Sequence, residues 1–315
     1  MVRLSCAQTQ QTVKQKTSFI ITTRNEPLEV LQWTVRVLLD TTAGYLREVL
    51  IVDDGSSTPV PSRWHPAVRV VRHDVPIGVP RSRRHGGMLA TGSVLVWMDA
   101  HMSFGPTWFD KMMDHVDSGT LLCSAWWDYV LSRPLCWGAD FVWCGERNYA
   151  ANRVPGLTFR HRTHFSGDGA VEVPMWMGGC YMALRETYEK LGGFSPFFRT
   201  WGRSEEDMCA RAQIMGIGVK CVTGAHVGHL TRPRSPYPVR WEDIEFNQVV
   251  LIRTVFQQPT AQALERLLQP LPADVRAWLA RAQFFDWHRL IQSRRQITDG
   301  EFFRRFVSNA PECVT

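Results

Sequence analysis

Gly92-Ser93-Val94-Leu95-Val96-Trp97-Met98-Asp99-Ala100-His101 is the stretch that decides the fold. Val94 to Met98 is a nearly continuous apolar run, which reads as a short strand buried on both faces of a parallel sheet. Asp99 and His101 follow at once. Side chains two apart at a strand end point the same way, so a carboxylate and an imidazole can share one divalent cation where the strand leaves the sheet. Ligands of open α/β sheets sit beyond the carboxyl ends of the strands, which is where this pair falls. Taken alone, so short a pattern also fits a capped turn followed by a surface histidine. The flanking sequence decides.

On the N-terminal side, Thr17 to Thr23 is a β-rich run, and Arg24-Asn25-Glu26-Pro27 ends it and starts a helix to about Leu39. Glu48 to Val52 reads as a second buried strand ending in Asp53-Asp54-Gly55, Val68 to Arg72 as a third, and Arg81 to Ala90 as a helix. Strand and helix therefore alternate, which argues for an α/β fold with a parallel, doubly wound sheet of nucleotide-binding type. On the C-terminal side a helix is expected from Pro106 to about Val116 and a strand at Leu121 to Ala125. From Trp126 to about Val171 no period is sustained, and this reads as a long excursion over the sheet edge. A strand within Met175 to Leu184, helices at Arg185 to Leu191 and Glu205 to Met215, and a strand at Val219 to Val222 restore the order. Leu230 to Val239 is a proline-rich loop, and helices are expected at Trp241 to Phe256, Ala261 to Leu268, Asp274 to Phe285 and Glu301 to Val307.

A chain of 315 residues with 44% hydrophobic content can bury a large core. The residues before Thr17 are polar, and no stretch approaches the roughly 18 uninterrupted apolar residues of a membrane span, so no membrane partner is expected. The eight cysteines lack C-x-x-C spacing and fall mostly in apolar runs. They read as buried free thiols in a reducing, cytoplasmic compartment. The net charge of +6 and pI near 9.0 suit a polyanionic partner such as a nucleotide diphosphate or nucleic acid. Thirteen tryptophans, concentrated between Trp97 and Trp201, supply core and also the flat faces on which sugars stack.

Taken in order, several blocks resemble the GT-A fold glycosyltransferases, and most of all the polypeptide N-acetylgalactosaminyltransferases. Thr23-Arg24-Asn25-Glu26 is similar to that family's H-N-E, Val52-Asp53-Asp54-Gly55-Ser56 to V-D-D-A-S, and Gly78-Val79-Pro80-Arg81-Ser82-Arg83 to G-x-x-R-A-R. Ala90 to Leu95 and Asp99 to His101 match A-T-G-x-V-L and D-x-H, and Gly178-Gly179, Trp201-Gly202 and Val227-Gly228-His229 with Arg232 follow. The resemblance spans about Thr17 to Phe256. It implies a tail over 1–16, a GT-A catalytic domain over 17–239 and a helical C-terminal extension over 240–315.

The resemblance further implies that Asp99, His101 and His229 bind a divalent cation. An oxygen and nitrogen donor set favours Mn²⁺ over Mg²⁺. The implied UDP-sugar site comprises Thr22, Arg24, Glu26, Asp53, Asp54, Arg81, Asp99, Gly178 and Gly179. Thr22, Glu26 and Asp54 fall where the family holds the nucleoside, and Arg81 where the diphosphate lies; Arg83 and Arg84 either join it or are solvated. His226 reads as structural. The proline-rich loop resembles the family's lid. Where that family has W-G-G-E-N this chain has Trp201-Gly202-Arg203-Ser204-Glu205, so a serine replaces the glutamate that touches the donor sugar. The candidate catalytic group is therefore Trp201 with Glu205, Glu206 and Asp207. Three acids at a helix start also simply suit the macrodipole. Retention is the stereochemistry the resemblance favours, and inversion needs one of those acids as base.

The acceptor implied is a protein or peptide hydroxyl. Hydroxymethylated DNA bases are the alternative, and Arg276, Arg281, Arg289, Arg294, Arg295, Arg304 and Arg305 offer a basic face for it. A catalytically inactive binding module is the competing class.

Overall fold

The central strands carry apolar side chains on both faces, and each face has its own cover of helices. The computed structural model describes residues 16–62, 64–164, 169–177, 179–232 and 235–314. The first strand, β1 (Thr17–Thr23), is buried at every residue. It is followed by α1 (Leu28–Thr42), β2 (Leu46–Asp53), β3 (Val68–Arg72), α2 (Val79–Leu89) and β4 (Val94–Asp99). Next come β5 (Met102–Phe104), α3 (Trp108–Met113), β6 (Thr120–Asp128), β7 (Pro134–Cys136), β8 (Ala139–Cys144), β9 (Gly156–His161) and β10 (Ala170–Glu172). After β11 (Cys180–Leu184), α4 (Arg185–Lys190), α5 (Ser204–Ile214) and β12 (Gly218–His229), the chain ends in α6 (Trp241–Val255), α7 (Gln258–Leu267), α8 (Ala273–Leu279), α9 (Phe285–Ser293) and α10 (Asp299–Phe306).

Strand order in the main sheet is β10-β12-β6-β11-β4-β1-β2-β3, with β5 added to β12 and β7 to β6, while β8 and β9 form a separate hairpin. Phe19, Ile21, Val49, Ile51, Val94, Val96 and Met98 pack on one side with Leu31, Val35 and Leu38 of α1 and Trp108, Phe109 and Met112 of α3. Ile20, Leu50, Val52, Leu95 and Trp97 face the other side, where α5, α6 and the later helices complete the core. This two-sided burial is why the strands read as unbroken apolar runs. Gly86 and Gly87 let α2 lie close: a Cβ on Gly86 would stand 2.4 Å from Ile20 Cγ2.

The fold is GT-A, a mostly parallel α/β sheet flanked by helices, with four departures from the sequence expectation. β4 is parallel to β1 but antiparallel to β11, because the chain re-enters the sheet from the opposite end after its excursion. That excursion is structured, containing the end of β6, β7 and the β8–β9 hairpin. β12 runs through Gly224 to His229 instead of stopping at Val222, with an irregular register between Val222 and His226. The helix expected from Asp274 to Phe285 breaks after Leu279, and α9 is new.

Val249, Leu264, Ile291 and Phe302 of the C-terminal helices join the same core cluster as Ile20 and Trp97. Among the described residues no helix is long and apolar enough to cross a membrane. The tail residues 1–15, Gly178, and Pro233 and Arg234 of the lid-like loop lie outside the described residues.

Candidate active site

Register brings the candidate residues to one end of the sheet. Thr22 of β1 stands opposite Asp99 of β4, and Thr23 opposite Asp53 of β2. His229, at the end of β12, pairs with Met102 and so arrives beside His101. Asp99, His101 and His229 each present a ligand atom, and these atoms lie within 4.8 Å of one another. Donors around one cation at about 2.0–2.6 Å are at most about 5 Å apart, so the three fit a single ion.

Two further features fit such an ion. Gly179 (φ +65°) leaves room beside the cluster, where a Cβ would stand 2.7 Å from Asp99 Oδ2 and 3.1 Å from His229 Cδ2. His229 Nε2 lies 3.2 Å from Asp99 Oδ2, and among the described residues its buried Nδ1 has no hydrogen-bond partner. A carboxylate with two imidazoles is a donor set for a first-row divalent ion such as Mn²⁺. His101 Nδ1 is 3.0 Å from Glu26 Oε2, an outer contact of the kind that orients a ligating imidazole. Glu26 is in turn held by Arg232. Burial pushes its carboxyl upward, but His101 and Arg232 outweigh that and hold it below the ordinary range.

The cluster opens into a cavity of about 930 Å³ whose lining includes Thr22, Arg24, Glu26, Asp54, Arg83, Asp99, Gly179, Tyr181, Trp201, Glu205 and Glu206. At the end taken for the nucleoside, Asp54 accepts the Ile77 and Gly78 N–H groups at 2.8 and 2.9 Å and faces His73 Nδ1 at 3.0 Å. The described parts of the loop after β12 cover this end. Tyr237 faces the cavity beneath the Arg24 guanidinium at 5.4 Å, and its hydroxyl is pushed up to about 12 by burial.

Beside Asp99 stands Arg83, which is buried and donates to Glu205 Oε1 at 2.5 Å and to Asp99 Oδ1 at 3.2 Å. Glu205 also accepts from Tyr181 Oη at 3.1 Å and Ser204 Oγ at 2.7 Å. Burial opposes ionisation of both acids. For Glu205, Arg83 and Ser204 outweigh it; for Asp99, His229 and Arg83 do, so both carboxyls sit low. The serine that replaces the family's glutamate thus supports the next residue.

Several candidates fall elsewhere. Asp53 does not line the cavity: its oxygens accept the Ser56 and Val60 N–H groups and pair with Arg72 at 2.5 Å. Neither does Arg81, whose Nε donates to the Phe198 carbonyl, whereas Arg83 does. Arg84 donates to the Gly192 and Phe194 carbonyls. Asp207 is fully buried against Arg211 at 2.6 Å, away from the cavity. Glu206 reaches the lining but is paired with Arg203 at 3.0 Å, and burial raises its pKa. His226 packs on Trp127. Of the C-terminal arginines, Arg289, Arg295 and Arg305 pair with Asp286, Asp299 and Glu301, while Arg276 and Arg294 donate to backbone carbonyls.

Tyr181, Trp126, Phe159 and His161 also line the cavity and were not foreseen. Tyr181 was legible in principle: it follows Gly178-Gly179-Cys180 on a strand that starts at the cluster. Phe159 and His161 alternate along β9, whose apolar period is interrupted by Arg160 between them.

A sheet whose strand ends hold a carboxylate and imidazole cradle beside a nucleotide-sized cleft defines the class of GT-A nucleotide-sugar transferases. The chain belongs to glycosyl transferase family 2, whose model matches residues 18–190. A second model, N-terminal domain of galactosyltransferase, matches residues 162–234. Polypeptide N-acetylgalactosaminyltransferase 5 of Caenorhabditis elegans is 29% identical over 250 residues, covering 71% of this chain and 38% of the relative. Putative polypeptide N-acetylgalactosaminyltransferase 9 of Drosophila melanogaster is 28% identical over 240 residues, covering 71% and 37%. The chain thus spans well under half the length of these relatives. The crystal structure of GalNAc-T7 with UDP, GalNAc and Mn²⁺ superposes with a TM-score of 0.74 at 18% identity, covering 93% of this chain and 57% of that one, and shares its fold.

Proposed function

We propose that the chain is a metal-dependent glycosyltransferase that moves a sugar from a UDP-sugar to a protein or peptide hydroxyl with retention of anomeric configuration. The observation that carries this reading is one cavity in which the Asp99, His101 and His229 cluster adjoins the Arg83–Glu205 pair. The names of the relatives, which are polypeptide N-acetylgalactosaminyltransferases, support the donor and acceptor class. Mn²⁺ held by Asp99, His101 and His229 would supply positive charge against the negative charge growing on the diphosphate as the glycosidic bond breaks.

The chain's own groups do the rest. Asp54 and Thr22 hold the nucleoside end, and Arg83, kept protonated by Glu205 and Asp99, adds fixed positive charge. Glu205, held ionised, orients a sugar or acceptor hydroxyl. The resemblance to the polypeptide N-acetylgalactosaminyltransferases supports retention over a base-assisted inversion. The Arg232–Glu26 pair ties the covering loop to the cluster and helps exclude water. The free, mostly buried thiols of the described cysteines suit the cytoplasmic setting proposed with this reading.

The test is incubation with Mn²⁺, a panel of UDP-sugars and Ser/Thr peptides, followed by mass spectrometry and NMR of the new anomeric centre. Peptide modified with retained configuration supports the proposal. An inverted product refutes the stereochemistry, and transfer only to hydroxymethylated DNA refutes the acceptor.

A further inference from the structure

The cavity wall at residues 199–203 is built on α6, away from the reacting groups. Asn247 is fully buried. Its Oδ1 accepts the Arg199 N–H at 2.7 Å, and its Nδ2 donates among the carbonyls of Arg199, Trp201 and Gly202 at 2.9, 3.2 and 3.0 Å. Asp243, one turn earlier, accepts from Arg199 Nε at 2.9 Å and from Thr200 Oγ1 at 2.8 Å. The Arg199 guanidinium lies 3.6 Å over the Trp278 ring of α8, which pegs the segment into the helical layer.

From the other side the segment meets the start of α2. The Val79 N–H donates to the Thr200 carbonyl at 2.8 Å, and a Cβ on Gly78 would stand 2.7 Å from Thr200 Cα. The chain then passes through two left-handed residues, Gly202 (φ +91°) and Arg203 (φ +67°), before α5 begins. A non-glycine residue holds such a conformation only where its surroundings over-determine it. Here the bond from Asn247 to the Gly202 carbonyl fixes the peptide just before it. The outcome is a half-exposed Trp201 facing the cavity and Glu205 in the first turn of α5.

We propose that Asn247 and Asp243 are positioning residues for sugar transfer: they fix the 199–203 segment, and through it Trp201 and Glu205, without lining the donor cavity themselves. Two buried polar side chains that satisfy consecutive loop groups form a support of the kind that reactive geometry requires. The catalytic side of this proposal rests on the glycosyltransferase reading above, and the placement of the segment does not.

The test uses the full chain with Asn247→Ala, Asp243→Asn and Thr200→Val, the last breaking the clamp from the loop side with α6 intact. In Asn247→Ala the amides of 199–203 should exchange with solvent about tenfold faster or more, while β4 and α5 keep their protection. UDP with Mn²⁺ should bind at unchanged stoichiometry, because the nucleoside contacts lie on β1 and beside Asp54. Turnover should fall about 10- to 100-fold while the donor KM moves less than about threefold, since a misplaced wall costs alignment more than nucleotide affinity. Asn247→Asp keeps the acceptor for the Arg199 N–H but turns a carboxylate oxygen toward the carbonyls of Arg199, Trp201 and Gly202, and should be impaired at least as much as Asn247→Ala. If Asn247→Ala does not fold, Asp243→Asn and Thr200→Val carry the test.

Unchanged exchange and turnover in a folded variant overturn the proposal, as does a loss of activity matched by an equal loss of UDP-binding sites. A wild-type chain that turns over no sugar nucleotide refutes the transferase reading, and the exchange measurement still decides the clamp.

Discussion

Arg83→Met removes the guanidinium that touches both Asp99 and Glu205 and keeps much of the side-chain volume. Arg83 is 5% exposed, and its two carboxylate partners keep only an edge toward the cavity, at 27% and 20% side-chain exposure. Without it two acids that burial already disfavours in their charged form lose their shared counter-charge. Breaking a buried ion pair by removing one partner costs about 3–5 kcal/mol. Asp99 keeps His229, and Glu205 keeps Tyr181 and Ser204, so the low end applies, at about 3 kcal/mol. Set against a typical domain stability of about 5–15 kcal/mol, the variant still folds but unfolds at clearly lower urea. Adding Glu205→Gln removes one of the two stranded charges and should restore about 1–2 kcal/mol, a coupling readable in a double-mutant cycle. A loss of less than about 0.5 kcal/mol for Arg83→Met, or strict additivity with Glu205→Gln, would refute the buried-charge argument.

Asp99→Ala and His229→Ala should each abolish tight Mn²⁺ binding in a calorimetric titration and cut turnover by about two to three orders of magnitude. Glu26→Gln, which weakens the hold on His101, should lower Mn²⁺ affinity by about 10- to 100-fold in the same titration. Gly179→Ala puts a Cβ 2.7 Å from Asp99 Oδ2 at a left-handed position, so it should lower Mn²⁺ affinity and cost about 1–2 kcal/mol of strain; wild-type affinity would count against the cradle. Asp53 is buried, which alone would raise its pKa, yet Ser56, Val60 and Arg72 hold it below its ordinary value. A group whose folded pKa is depressed stabilises the fold above its unfolded pKa of about 3.9, and loses that contribution as pH falls through the lower folded value. The stability gap between wild type and Asp53→Asn should therefore be full near pH 6 and narrow in urea melts taken progressively below about pH 4.

Sequence legibility followed the physics of burial. β1, β2 and β4 were readable because each carries an apolar run buried on both faces, which leaves little room for polar interruption, and the edge strand β3 because Val68, Val70 and Val71 are β-branched. β8 and β9 were not, because the half-buried Asp140 and Trp143 and the exposed Arg160 break the apolar count. Asp53 and Asp54 looked equivalent as letters. Successive residues at a strand end point to opposite sides, so one carboxylate faces the cavity and the other caps a turn. The acids at 205–207 diverge for the matching helical reason: steps of about 100° fan them across more than half a turn, so Asp207 ends on the buried side with Arg211. Arg83 was named only as a secondary diphosphate contact, since no local pattern tells that a guanidinium sixteen residues before Asp99 will bridge it to Glu205.

The most direct measurement is UDP release from a panel of UDP-sugars by the full chain, with Mn²⁺ and with EDTA, for wild type and His229→Ala. Metal-dependent release by wild type, lost in EDTA and in His229→Ala, is the predicted result. Equal release in EDTA, or no release from any donor by a folded, Mn²⁺-loaded chain, would contradict it.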